Sequence, residues 1–237
     1  MYIEWGGLGD HLQFSNLPEQ FKTYNDEDTY IHIASGFRNS EIYDLVWGTN
    51  PYIKGLSKDS PNAGSDFFGR ISPNESMSGW SVIHGLPALD NYPKIYHQPD
   101  TLSGYEDVIL VDLIARSHYK VNSYSDEKIK ERLAGLIERF PGKKFVSMMP
   151  SEDILLAGEY HIYENDFEVM PTGSLFNYFN LINSCYGLIS LHSGTHVLGA
   201  TIKKRFNDTI NNICIIPVQY YIPNSIYNFE NSEYVLV

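Results

Sequence analysis

Apolar positions recur along this chain with two different periods, and the switching between them predicts a succession of strands and helices. Over Asp10 to Lys22, Phe14, Leu17 and Phe21 form an apolar side while Leu12, Ser15, Asn16, Glu19 and Gln20 recur at helical intervals, which predicts one helix. Thr29 to Ala34 alternates and is rich in β-formers, so it predicts a strand. Ile42, Leu45 and Val46 give a short helix from Glu41 to Trp47 its face, with Asn39 or Ser40 as the cap. Asn50 to Ile53 follows as an extended segment. From Ser57 to Asn74 the residues turn to Ser, Asp, Pro, Asn and Gly, which predicts a long loop, and 76–89 has room for a short helix. Pro87 to Ser103 is proline-bearing and aperiodic, and a domain junction is expected there.

The second half repeats the logic. Asp107 to Asp112 is a continuous apolar run of strand length, the pattern of a parallel strand buried on both faces. Asp126 to Phe140 carries Ile129, Leu133, Leu136 and Ile137 on one face and stops at Pro141-Gly142, which predicts a helix. Lys144 to Met148 reads as a strand, Asn177 to Cys185 as a helix and Gly187 to Leu191 as a strand. Gly194 to Lys203 reads as a further helix and Ile213 to Val218 as the last strand. Strands alternating with helices in two successive sets predict an α/β chain of two Rossmann-like domains facing a cleft. The expected domains are 1–100 and 101–237.

Composition narrows the class. No apolar run approaches the ~20 residues needed to span a bilayer, so no transmembrane segment is expected. No basic stretch followed by an apolar one reads as a secretory signal. Cys185 and Cys214 lie in apolar surroundings and read as core thiols of a reducing compartment, so the cytoplasm is the expected location. A net charge of −12 argues against a nucleic-acid surface, which needs clustered Lys and Arg. An anionic ligand is still compatible, because helix N-termini hold phosphate locally.

Two stretches carry candidate chemistry. Gly6-Gly7-Leu8-Gly9-Asp10-His11 is a tight turn running into a helix, where backbone meets something closely or adopts positive φ. Asp10 then falls in the first turn, where a carboxylate also simply suits the helix dipole. The second stretch is Leu188 to Ala200, in which a buried strand runs into Ser193-Gly194-Thr195 and a small-residue helix begins. Unpaired N–H groups there suit a diphosphate, with Ser193 and Thr195 adding hydroxyls and Gly194 leaving the approach open. An ordinary N-cap is the plainer explanation. His192 and His196 are four apart but lack a third ligand of suitable spacing, so no metal site is expected.

Together the two stretches resemble a known pattern. GGLGDHLQFSNLPEQF is similar to the N-terminal loop and helix of the ADP-heptosyltransferase-like glycosyltransferases (glycosyltransferase family 9, GT-B fold). Asn50-Pro51-Tyr52-Ile53 resembles the family's segment after the second helix, and LINSCYGLISLHSGTHVLGATIKK resembles its C-terminal helix, strand and diphosphate turn. The chain departs from the pattern at His192, where the family has Asp, in a Gly194-to-His196 spacing shorter by one, and at Asn16, where Pro is common.

The resemblance implies a compact GT-B-like enzyme that moves a sugar from a nucleotide-sugar donor to the hydroxyl of a glycan or small-molecule acceptor. Domain 1–100 then serves the acceptor and 101–237 the nucleotide sugar. Asp10 becomes the catalytic base, with His11 as a second candidate. Gly7, Gly9, Arg116, Ser193, Gly194, Thr195 and His196 become the nucleotide-sugar-binding set. No metal and no cofactor are implied. A sugar-nucleotide hydrolase or epimerase and a non-catalytic binding protein of the same fold are the alternatives.

Overall fold

In the computed structural model the chain folds into two compact units, Met1–Gln98 with Ile222–Phe229, and Pro99–Tyr221 with Glu230–Val237. Residues 1–4, 6–59, 81–82, 84–87, 92–114, 125–149, 167–223 and 228–237 are described here. The loop expected from Ser57 to Asn74 and the helix expected in 76–89 lie largely outside them.

In the first unit the opening residues Met1–Ile3 lie beside β1 (Thr29–His32), with His32 N–H donating to the Met1 carbonyl at 2.7 Å. β1 pairs in parallel with β2 (Ile53–Ser57). The single helix expected from Asp10 to Lys22 is two helices, α1 (Leu8–Phe14) and α2 (Leu17–Asn25). Pro18 is the reason. It has no N–H to give the Phe14 carbonyl, and its ring crowds that carbonyl. The break at Ser15–Asn16 is anchored from a distance, since Ser15 Oγ accepts from Lys94 N–H at 2.8 Å and Asn16 Nδ2 donates to the Tyr92 carbonyl at 2.7 Å. The helix expected from Glu41 to Trp47 begins under an Asn39 side-chain bond to Glu41 N–H, 2.8 Å, and widens into a π-turn over Tyr43–Gly48. The wider winding turns Leu45, Val46 and Trp47 inward together, and all three are fully buried.

The second unit is built on a six-stranded, all-parallel sheet in the order β5-β4-β3-β6-β7-β8. Its strands are β3 (Val108–Asp112), β4 (Lys144–Met149), β5 (Glu168–Pro171), β6 (Gly187–Leu191), β7 (Asn211–Ile216) and β8 (Glu233–Leu236). β5 and β8 leave no mark in the sequence pattern because both are short, half-exposed edge strands. β7 ends two residues earlier than its apolar run, at Pro217, which cannot donate to a ladder.

The helices of this unit are α3 (Asp126–Arg139), α4 (Leu175–Ser184) and α5 (Gly194–Arg205). Ile129, Leu133 and Leu136 of α3 pack on Ile109, Val111, Ile189, Leu191, Ile213 and Ile215, the apolar face of the central strands. The alternate residues face the other way. Asp112, Ser190, Cys214 and Tyr234 stand in register across β3, β6, β7 and β8, so a polar row crosses the opposite face. α5 approaches that face closely at Gly199, where a Cβ would lie 2.5 Å from Asn212 Oδ1 and 2.7 Å from Leu188 Cδ2.

Candidate active site

The two candidate stretches fall in different units. In the first, Arg38 N–H donates to the Gly6 carbonyl at 2.9 Å, holding the glycine turn against the chain that leaves β1. Gly7 is the N-cap of α1, and Asp10 Oδ2 reaches back to accept its N–H at 2.9 Å. That is one half of a capping box, and it fixes the carboxylate at the start of the helix. Burial pushes the Asp10 carboxyl up, while the Gly7 N–H and the Arg38 charge pull it down. A Cβ on Gly7 would sit 2.7 Å from Asp10 Oδ2, so the bare backbone there makes room for the carboxylate. Gly9 is buried within the first turn, its carbonyl accepting from Gln13 Nε2 at 3.3 Å.

His11 is built differently. It is fully buried, stacked on Phe37 with ring centroids 4.5 Å apart. Trp47 Nε1–H donates to its Nδ1 at 2.9 Å, and an indole only donates. The proton of the neutral ring therefore sits on Nε2, which donates to the Gly36 carbonyl at 2.8 Å. Burial holds its pKa down to about 4. With both nitrogens committed, the ring is neutral scaffold for the turn and has no lone pair to offer a substrate.

In the second unit, β6 runs through His192-Ser193 into α5. Ser193 is the N-cap, its Oγ accepting from Thr195 N–H at 3.3 Å. Ser193, Gly194 and Thr195 are half-buried, open at the first turn. The Thr195 hydroxyl is turned inward, donating to Asp112 Oδ2 at 2.5 Å. Tyr178 of α4 reaches the same oxygen at 2.6 Å, and its hydroxyl lies 2.7 Å from that of Thr195. Asp112 Oδ1 accepts from Ile114 N–H at 3.1 Å. Burial pushes the Asp112 carboxyl up, against the pull of these hydrogen bonds. His196 is buried too, its Nε2 bonded to the Tyr234 hydroxyl at 3.0 Å, so it sits beneath the turn and braces it.

Arg38, Asp112 and Tyr178 escape a reading of the sequence. Arg38 lies in an aperiodic link, Asp112 looks like the polar end of a strand, and Tyr178 sits in a helix stripe. Arg116 lies outside the described residues. Among the described residues no group of three or more His, Cys, Asp or Glu is placed to hold a metal ion. The chain does contain one Asp-x-Asp triplet, Asp26-Glu27-Asp28, which the metal-free expectation passes over. It follows α2, where Asp26 and Asp28 pair with Lys22 at 2.8 and 3.1 Å.

No family profile and no curated protein matches the chain. Solved structures do. The iron-containing dodecameric glycosyltransferase TibC of enterotoxigenic E. coli superposes with a TM-score of 0.67 at 14% identity, over 98% of this chain and 63% of TibC. It is the fold of the family 9 glycosyltransferases. E. coli ADP-heptose LPS heptosyltransferase II shares it with a TM-score of 0.56 at 10% identity, over 99% of this chain and 89% of that one. A family 9 glycosyltransferase from Veillonella parvula follows at 0.52 and 12%, over 100% and 87%. The chain spans less than two thirds of TibC's length.

Proposed function

We propose that this chain is a glycosyltransferase that moves a sugar from a nucleotide-sugar donor to an acceptor hydroxyl. The observation that carries the reading is the likeness to TibC, which runs through 98% of the chain. TibC has also been solved with ADP-D-β-D-heptose, which makes ADP-heptose the first donor to try.

In this reading the first unit serves the acceptor. Asp10 takes the proton of the attacking hydroxyl, and its upward-shifted carboxyl is a better base than an ordinary aspartate. His11 is left as support, because its nitrogens are used. The second unit holds the donor, with the diphosphate against the Ser193-Gly194-Thr195 start of α5. The N–H groups and the dipole of that twelve-residue helix stabilise charge on the leaving phosphate. Arg116 is a candidate partner of the same phosphates. No metal and no cofactor enter the proposal. The cytoplasm fits two free, buried cysteines.

Incubation with ADP-heptose and a panel of other sugar nucleotides, with products read by mass spectrometry, tests this. Transfer to an added acceptor is expected, and Asp10→Asn should lose ~10²-fold or more in turnover while binding donor as before. Free sugar released without an acceptor would make the chain a hydrolase. If no sugar nucleotide raises the melting temperature or turns over, the chain is a non-catalytic protein of this fold.

A further inference from the structure

Asp112 Oδ2, Tyr178 Oη and Thr195 Oγ1 form a closed triangle with edges of 2.5, 2.6 and 2.7 Å. Every edge is short enough to be a hydrogen bond, so every edge calls for a proton. The two hydroxyls bring one proton each. With Asp112 ionised, two protons must serve three edges, and the remaining pair of oxygens is pressed together at hydrogen-bond distance with only lone pairs between them. A third proton on Asp112 completes the ring, each oxygen then donating once and accepting once.

Burial favours that third proton, against the positive end of α5, which favours a carboxylate. Asp112 is 3% exposed, at the C-terminal end of the central strand β3. α4 presents Tyr178 to it, α5 presents Thr195, and β6 places Ser190 beside it in register. β4, on its other side, runs through Ser147 and Met148 at this level. Among the described residues, His192 and His196 are titratable groups at the α5 turn. Their rings lie 6.1 Å apart, and His196 bonds Tyr234. Among the described residues no lysine, arginine or histidine pairs with the Asp112 carboxyl. Burial disfavours a carboxylate and pushes the group upward.

We propose that Asp112 is held as a neutral carboxylic acid that ties the first turn of α5 to the sheet through a ring of three hydrogen bonds, leaving no negative charge beneath the turn. Asp112 is thus a positioning residue. A carboxylate there would cancel the positive end of the helix and repel an incoming diphosphate, whereas the neutral acid holds Thr195 in place and leaves the dipole intact. This last consequence rests on the donor site proposed above, but the ring itself does not.

The test is a carboxyl titration of the ligand-free protein labelled with 13C at the aspartate side chains. One resonance should remain at the protonated position through neutral pH and move only in the alkaline range. It should vanish in Asp112→Asn and shift in Tyr178→Phe, so that either variant assigns it if the other fails to fold. An Asp112 resonance that titrates near the ordinary aspartate value of about 4 overturns the proposal. Calorimetry with ADP then tests the consequence. Affinity should fall about tenfold or more as pH is raised through the Asp112 titration, and Asp112→Asn should flatten that part of the profile. An ADP affinity indifferent to the Asp112 titration overturns the electrostatic role. If ADP does not bind at all, the donor-site reading fails and the ring is still decided by the carboxyl titration.

Discussion

The indole N–H of Trp47 donates to Nδ1 of His11 at 2.9 Å, and this one bond determines which nitrogen of a fully buried imidazole carries the proton. Trp47 is brought inward by the π-turn, so an irregularity of winding fixes a tautomer beneath the glycine turn. Trp47→Phe removes the donor and leaves a buried acceptor unmet. A loss of about 1–3 kcal/mol in urea unfolding is expected. A loss under about 0.5 kcal/mol would mean that the bond is not a structural tie.

The same histidine should make the protein acid-sensitive. Its folded pKa lies at about 4, below the ordinary 6.5, so between these values the unfolded chain binds a proton that the folded chain does not. Stability from this group is therefore fully present above about pH 6.5 and is lost as pH falls towards 4. The shift corresponds to about 3 kcal/mol at most. Denaturant midpoints between pH 4 and 7 should show this slope, and His11→Phe should flatten it. An unchanged slope in that variant would assign the acid sensitivity to other groups.

Gly199→Ala places a methyl group against Asn212 Oδ1 and Leu188 Cδ2, inside contact distance of both. Asn212 cannot simply swing away, because its Nδ2 holds Ser232 Oγ at 2.8 Å. Overpacking of this kind costs about 1–3 kcal/mol, and the melting temperature should fall by several degrees. An unaltered melting temperature would show that α5 can lift from the sheet at no cost.

Neither thiol should react in the native state. Cys185 Sγ lies 3.2 Å from the carbonyls of Ile182 and Gly187, and burial pushes its pKa up to about 12. Cys214 is buried in the sheet and is pushed up as well. Thiol reagents act on the thiolate, so labelling should follow global unfolding in denaturant. Labelling of Cys185 in buffer would reveal local opening where α4 meets β6, and labelling of Cys214 local opening of β7.

Much of this was readable from single residues and their near neighbours. β3 and β6 are apolar runs because both faces are covered, and α3 follows its Ile129-Leu133-Leu136 stripe from a Ser125 cap to Pro141. The break in the first helix was also on the page, in Pro18, but the apolar spacing of Phe14, Leu17 and Phe21 continues straight across it. What could not be read is pairing at a distance. Asp112 meets Thr195 across 83 positions and Tyr178 across 66, and only the parallel order of the sheet brings the three together. Thr195 illustrates the limit. Its hydroxyl looks like a ligand donor in sequence, and in the fold it is turned towards Asp112.

The division of the chain bears on how the protein reaches its folded form. The polypeptide leaves the first unit after Gln98, returns to it for Ile222–Phe229, and then goes back to lay β8 on the edge of the sheet. Phe229, in the returning stretch, lies 5.4 Å from the Tyr92 ring across the core of the first unit. During synthesis, then, neither unit can close until this late segment has been made, and the two are finished almost together. A nascent chain halted before residue 222 would hold an unsealed core in one unit and a bare β7 edge in the other, which is the form a chaperone would be called upon to shield.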